Sequence, residues 1–281
     1  MPGSHICKSQ TQHTMNKPTL LSKTLLAVIA ISCFYTGYGQ DTTQIEEKPT
    51  YTFKLGWEVP VVIGCAGWCA YSASYSYGKG GSSEAQILAL NPNNIDPLDR
   101  WAVRPYNMAV DKGAYYPFYA AIPLPLVFFL TGKNMRHDYL KLTFLYAEAL
   151  AFTGLSGYSA TYFVNKYRPY AYSSGTSMSQ KMDQNAKNSF YAGHVEIMSV
   201  STFFIAEIYS QYHPQSKVKW LFFTLAGVCT AGMGYLRYDA GMHFPSDILL
   251  GSCTGALSGI LVPYFHNHRL IKNSSHRLSF N

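Results

Sequence analysis

"LRYDAGMHFPSDILLGSCTGALSGILVPYF", residues 236–265, joins a titratable cluster to a long apolar run, and the reading of the fold starts at that junction. Phe244 and Pro245 mark a helix start, because proline is favoured at the first helical position, where its missing N–H costs nothing. His243 and Asp247 then stand four residues apart on one face. The Asp247 carboxylate is placed to accept a hydrogen bond from His243 Nδ1, leaving Nε2 unprotonated and facing outward as a nucleophile. Arg237, six residues earlier at the end of the preceding apolar stretch, suits an anion, as does the N-terminus of the helix that follows. Taken alone, the stretch fits a structural reading equally well, with His243 as a cap and Arg237 and Asp247 as a local ion pair.

The rest of the chain supplies the setting. Of 281 residues, 48% are hydrophobic and 13% charged, about half the charged share of an ordinary soluble domain, which points to a membrane. A mean hydropathy of -0.04 reflects dilution by a polar N-terminal third and polar loops. Five apolar stretches, roughly 115–131, 138–164, 190–211, 217–236 and 244–265, approach the ~20 residues a membrane helix needs. The pattern predicts an all-α bundle of about six helices, membrane-embedded, with its active site at one end. Residues 57–72, "WEVPVVIGCAGWCAYS", are apolar but short, and are expected at the interface or inside the protein, unless the N-terminal apolar stretch is not a cleaved signal peptide.

The net charge of +7 is scattered over tails and loops rather than lined along a face, which argues against nucleic acid as a partner. Lys133, Arg136 and Lys141, then Lys217 and Lys219, then Arg269, Lys272 and Arg277 fall at alternate loop ends. By the positive-inside rule that side is cytoplasmic, and Arg168, His194 and residues 237–243 face outward. Lys17 and Lys23 precede "TLLAVIAISCFYTGYGQ", which has the form of a signal peptide. The expected organisation is an extension and signal peptide over 1–39, and a polar leader, short apolar segment and loop over 40–114. A helical core over 115–266 and a basic tail over 267–281 complete it. The cysteines read as small buried residues, since no pair has zinc-site spacing.

Two further stretches strengthen the chemical reading. "NSFYAGHVEIM" (188–198) sets Gly193 and His194 at another helix start, and "NKYRPYAY" (165–172) sets Arg168 and Pro169 just past a helix end, on the same side. Together these blocks resemble the phosphatidic acid phosphatase type 2 and haloperoxidase superfamily, whose signature runs K-x6-R-P, P-S-G-H and S-R-x5-H-x3-D. Arg168-Pro169, Gly193-His194 and Arg237…His243…Asp247 fit it in order, over about residues 115–265.

The resemblance implies a lipid phosphate or pyrophosphate hydrolase working through a phosphohistidine. His243 would attack phosphorus, oriented by Asp247, and His194 would protonate the leaving oxygen and then activate water. Arg168, Arg237 and the Gly193 N–H would hold the phosphoryl oxygens. No metal or cofactor is implied, because the arginines supply the countercharge, and no obligate protein partner is evident. Thr161, Tyr191-Ala192 and Leu236 replace the family's lysine, Pro-Ser and serine. Each lost donor costs about 10²–10³ in rate, with Lys166 as a possible substitute for the lysine. The expected setting is a bacterial-type inner membrane with the site facing the periplasm. The alternatives are a soluble periplasmic acid phosphatase on the same core, and a non-catalytic phospholipid-binding protein. Glu148, Glu196 and Glu207 are expected to hydrogen-bond inside the bundle, and His266 and His268 to be solvated.

Overall fold

The computed structural model describes residues 49–267. The signal-peptide segment, His268 and the cluster Arg269, Lys272 and Arg277 lie outside them. Six long helices carry the architecture: α1 (Leu55–Gly78), α2 (Met108–Ala121), α3 (Tyr139–Phe163), α4 (Gly193–Tyr212), α5 (Lys219–Asp239) and α6 (Pro245–His266). Among the described residues there is no strand, only two isolated bridges. The described residues are all-α, as the lengths of the apolar stretches predict.

The helices alternate in direction. The starts of α1 and α3 and the ends of α4 and α6 share one end. There Tyr51 donates to Gln211 (2.9 Å), Tyr212 to Asp138 (3.0 Å), and Thr52 N–H to the His266 carbonyl (3.1 Å). The opposite end gathers the ends of α1, α3 and α5 and the starts of α2, α4 and α6, and holds every candidate site residue.

Two segments differ from the sequence expectation. Residues 57–72 are not a short interfacial piece but the middle of α1, whose 24 residues extend about 36 Å at the helical rise. Stretch 115–131 is not one helix. α2 starts earlier, at Met108, where Asn107 caps it (3.3 Å to Val110 N–H), and a break at Ile122-Pro123 separates it from the short helix Leu124–Phe128. Proline cannot supply the N–H that would carry the ladder on.

The faces of α1 and α6 are sorted by size. α1 buries Glu58, Cys65, Ser72 and Ser76, and exposes Trp57, Val61, Ile63 and Tyr71. α6 buries Asp247, Gly251, Gly255 and Gly259, and exposes Leu249, Leu257, Leu261 and Phe265. Small residues inward with large apolar ones outward is the arrangement of helices packed in an apolar solvent. By length and hydropathy together, α6 is the one described helix that meets the criteria of a membrane span.

The three inward glycines of α6 form a seam against α4, which runs parallel to it. A Cβ on Gly251 would lie 2.8 Å from the Ala192 carbonyl oxygen, one on Gly255 2.7 Å from Ser199 Cβ, and one on Gly259 2.7 Å from the Val200 carbonyl oxygen. The backbones touch, and Ser199 Oγ donates across the seam to the Ser252 carbonyl (2.8 Å). Replacing Gly255 by leucine should force the helices apart and destabilise the fold by about 3 kcal/mol or more, as overpacking a close contact does. Thermal unfolding in detergent reads the loss, and an unchanged midpoint would contradict the seam.

Candidate active site

The turn between α5 and α6 places the first imidazole. α5 ends with Gly241 at φ 72°, in the left-handed region that glycine adopts without penalty. Gly241 N–H donates to the Tyr238 carbonyl (2.9 Å) and Met242 N–H to the Arg237 carbonyl (3.1 Å), the paired bonds of a Schellman turn. That turn sets the separation of Arg237 and His243. His243 is 3% exposed, and its Nδ1 lies 2.7 Å from the Ser189 carbonyl oxygen. A carbonyl can only accept, so Nδ1 carries the proton and Nε2 keeps its lone pair. Burial, then the guanidinium groups of Arg168 and Arg237, hold the ring well below its ordinary pKa, and His194 adds to the effect. The ring is neutral.

Asp247 does not touch His243, contrary to the sequence expectation. Its Oδ2 accepts from Ser189 Oγ (2.6 Å) and the Phe244 N–H (3.1 Å), and its Oδ1 from Lys166 Nζ (2.8 Å). The aspartate fixes Ser189, and the carbonyl of Ser189 in turn orients the imidazole.

Lys166 also differs from expectation. Besides Asp247 it donates to Asp99 Oδ2 (3.0 Å) and Ser246 Oγ (3.0 Å), which occupies all three ammonium protons. It ties the loops together and has no donor left for a phosphate. Asp99 accepts from Ser246 N–H (3.0 Å) and Oγ (2.5 Å) at the start of α6. Burial pushes its carboxyl upward, but the hydrogen bonds from Ser246 and Lys166 outweigh that and hold it below its ordinary value.

Both arginines are buried and anchored. Arg168 donates through Nε to the Asn185 carbonyl (2.8 Å), through Nη2 to Asn185 Oδ1 (2.9 Å) and through Nη1 to the Met242 carbonyl (3.3 Å). Arg237 pairs with Asp111 (2.6 Å), not with Asp247, and Tyr106 donates to the other oxygen of Asp111 (2.7 Å). Arg237 Nε is buried without a hydrogen-bond partner.

The second imidazole, His194, is the second residue of α4. It is held between Tyr115 (ring centroids 4.8 Å) and Phe118 (4.4 Å) of α2, and its Nε2 is buried without a hydrogen-bond partner. The first N–H groups of a helix have no partner within it, and a Cβ added to Gly193 would meet nothing within 4 Å, so the space before this terminus is open. The fold thus brings Arg168, His194, Arg237 and His243 to one end, in electrostatic reach of His243. The unpaired Arg237 Nε–H, and His194 Nε2 when it carries a proton, suit the oxygens of a tetrahedral oxyanion, and the His243 lone pair suits its electrophilic central atom.

Thr161 sits at the end of α3 with its carbonyl accepting from Lys79, Ala192 is buried with its N–H on the Asp247 carbonyl (3.3 Å), and Leu236 packs against the core beside α2. Glu196 accepts from Tyr191 (2.6 Å), Thr254 (3.0 Å) and Ser156 (3.1 Å) inside the bundle. Glu207 accepts from Gln211 (2.8 Å). His266 is not solvated: its Nε2 lies 3.3 Å from Glu148 and 3.6 Å from Glu58, at the end far from the site. Sequence reasoning missed Ser189, Asn185, Asp99 and Asp111. The last two stood in the stretch read as loop, where the acid four residues after the Asn107 cap was the available signal.

Residues 142–271 match the PAP2 superfamily. No curated protein is detectably similar to the chain. Among solved structures, the first transmembrane PAP2 type phosphatidylglycerolphosphate phosphatase from Bacillus subtilis is similar at 18% identity and a TM-score of 0.42, over 73% of this chain and 94% of that one.

Two outcomes follow from the geometry. Asp247→Ala should cost about 3 kcal/mol, the lower end for breaking a buried pair, because Asp99 still holds Lys166. The denaturant midpoint measures it. A histidine kept neutral when folded leaves the unfolded chain binding the extra proton below its ordinary pKa of about 6.5. Stability should therefore fall as pH drops from 7 to 5, and His243→Gln should lose less over that window in parallel melts.

Proposed function

With residues 142–271 belonging to the PAP2 superfamily, we propose that the chain is a phosphatase that hydrolyses a lipid phosphate or pyrophosphate through a phosphohistidine intermediate. The observation that carries this reading is the set of incomplete groups. His243 presents an unprotonated Nε2, while Arg237 Nε and His194 Nε2 are buried without partners. Leaving such groups unsatisfied costs about 1–3 kcal/mol each, and a bound phosphoryl group is the ligand that satisfies all of them.

His243 Nε2 attacks phosphorus, and its Nδ1–H keeps donating to the Ser189 carbonyl as positive charge develops on the ring. Arg168, Arg237 and the Gly193 N–H take the three non-bridging oxygens, where charge accumulates in the transition state. The phosphate brings the negative charge that lets His194 carry a proton between two arginines. His194 gives that proton to the leaving oxygen, then removes one from the water that cleaves the phosphohistidine. The guanidinium groups supply the countercharge without a metal.

The substrate is a lipid. The outward apolar faces of α1 and α6 support placement in a bilayer, and the basic loops at the far end support an outer-facing site. Release of the protein by detergent-free extraction would favour a soluble phosphatase on the same core.

Phosphate release from dioctanoyl phosphatidic acid in EDTA tests the reading. His243→Ala should lower kcat by about 10⁴-fold or more, as loss of a covalent nucleophile does, and His194→Ala should follow it closely. Arg237→Ala should cost about 10²–10³. Unchanged turnover in His243→Ala would sink the mechanism.

A further inference from the structure

A cavity of about 420 Å³ opens beside the end of α1, lined by Tyr75, Gly78, Lys79, Gly80, Asn165 and Lys187. Two of these residues are lysines and none is acidic. Of the neighbouring site cations, Lys166 is matched by Asp99 and Asp247 and Arg237 by Asp111, while Arg168 is held by neutral acceptors. The cavity lysines meet only neutral acceptors. Lys79 Nζ donates to the Thr161 carbonyl and to Asn188 Oδ1 (3.4 Å), and Lys187 Nζ to the Gly81 carbonyl (3.4 Å). Burial, and then repulsion from Lys187, lower the pKa of Lys79. Two mutually repelling ammonium groups facing one open space are what an anion relieves.

Two links run from the cavity lysines toward the phosphate site. Asn188, which accepts from Lys79 and donates to the Ser76 carbonyl (3.0 Å), is followed in the chain by Ser189, the residue that orients His243. Tyr77, two residues before Lys79, lies within electrostatic range of Arg168 and of Tyr115, the ring against His194. Nearby on α1 and α3, Tyr75 and Trp68 meet Tyr162 at 4.5 and 5.5 Å, an aromatic cluster suited to the headgroup level of a bilayer.

We propose that the Lys79–Lys187 cavity binds a second anionic group of the same lipid substrate, so that the chain selects lipid phosphates carrying two acidic groups over those carrying one. This rests on the phosphatase reading and adds the substrate class. Lys79 and Lys187 are specificity-determining; they touch neither phosphorus nor the leaving oxygen.

The test compares dioctanoyl phosphatidylglycerol phosphate with dioctanoyl phosphatidic acid, using wild type, Lys79→Gln, Lys187→Gln, the double variant and the Lys→Arg pair. The readout is the ratio of kcat/KM for the two lipids on one protein sample, which cancels differences in the folded fraction. The wild-type ratio should favour the two-phosphate lipid. It should fall about tenfold or more in the double glutamine variant, through KM, the worth of one charge-assisted hydrogen bond, and recover with arginine. An unchanged ratio overturns the proposal. So does a lysine-dependent effect of inorganic phosphate on phosphatidic acid turnover, which would assign the cavity to a free anion. Hydrolysis of neither lipid sinks the phosphatase reading instead. Equilibrium binding of the same two lipids to the same proteins then decides the cavity by the same ratio.

Discussion

The close approach of α4 and α6 is the constraint on which the site depends. His194 opens one helix, and His243 immediately precedes the other. Their relation is therefore fixed by how the two helices lie together, and Gly251, Gly255 and Gly259 let the backbones meet without side chains between them. A parallel pair with both N-termini at one end also sets the positive ends of two helix dipoles on the same side, although at α6 the Ser246 N–H is taken by Asp99. Positive field and imidazoles are thus delivered together by packing alone, before any side-chain hydrogen bond is counted.

The polar shell works by holding cations in place with groups that leave one edge free. Asp111 takes Nη1 of Arg237 and leaves Nε open, while Asn185 and the Met242 carbonyl take three donors of Arg168. A fully buried guanidinium with no anchor would be expensive, and one with every proton satisfied would have nothing left for a ligand. The observed arrangement lies between those limits. With their other edges anchored, the open ones are preorganised.

The fold class and the inward-facing histidines and arginines were legible because they follow local rules. Apolar runs of helical length, Pro245 at a helix start and His243 and Asp247 one turn apart need no knowledge of distant partners. What stayed hidden was long-range. Nothing near Ser189 announces that its carbonyl would take the imidazole proton and its hydroxyl the aspartate, 54 and 58 residues away. Lys166 lay close enough to the motif to look like a phosphate ligand, but its partners Asp99 and Asp247 are 67 and 81 residues distant. α1 was misread because its buried face is polar and small, the reverse of the pattern that marks a soluble helix.

Asp247 shows why a motif residue can be retained while its contact changes. A carboxylate directly on Nδ1 would stabilise the imidazolium by charge, whereas a carbonyl does so only by its dipole, a weaker effect. Here the charge of Asp247 is already matched by Lys166, so direct contact would have offered His243 a partly neutralised anion. Placing Ser189 between them keeps the tautomer and orientation while removing the charge from the ring. On the proposed mechanism, the consequence is a nucleophile activated by geometry and by its neutral state rather than by a neighbouring anion, with its developing positive charge balanced by the phosphate itself. That mechanism makes the chemistry dependent on an anionic ligand being present.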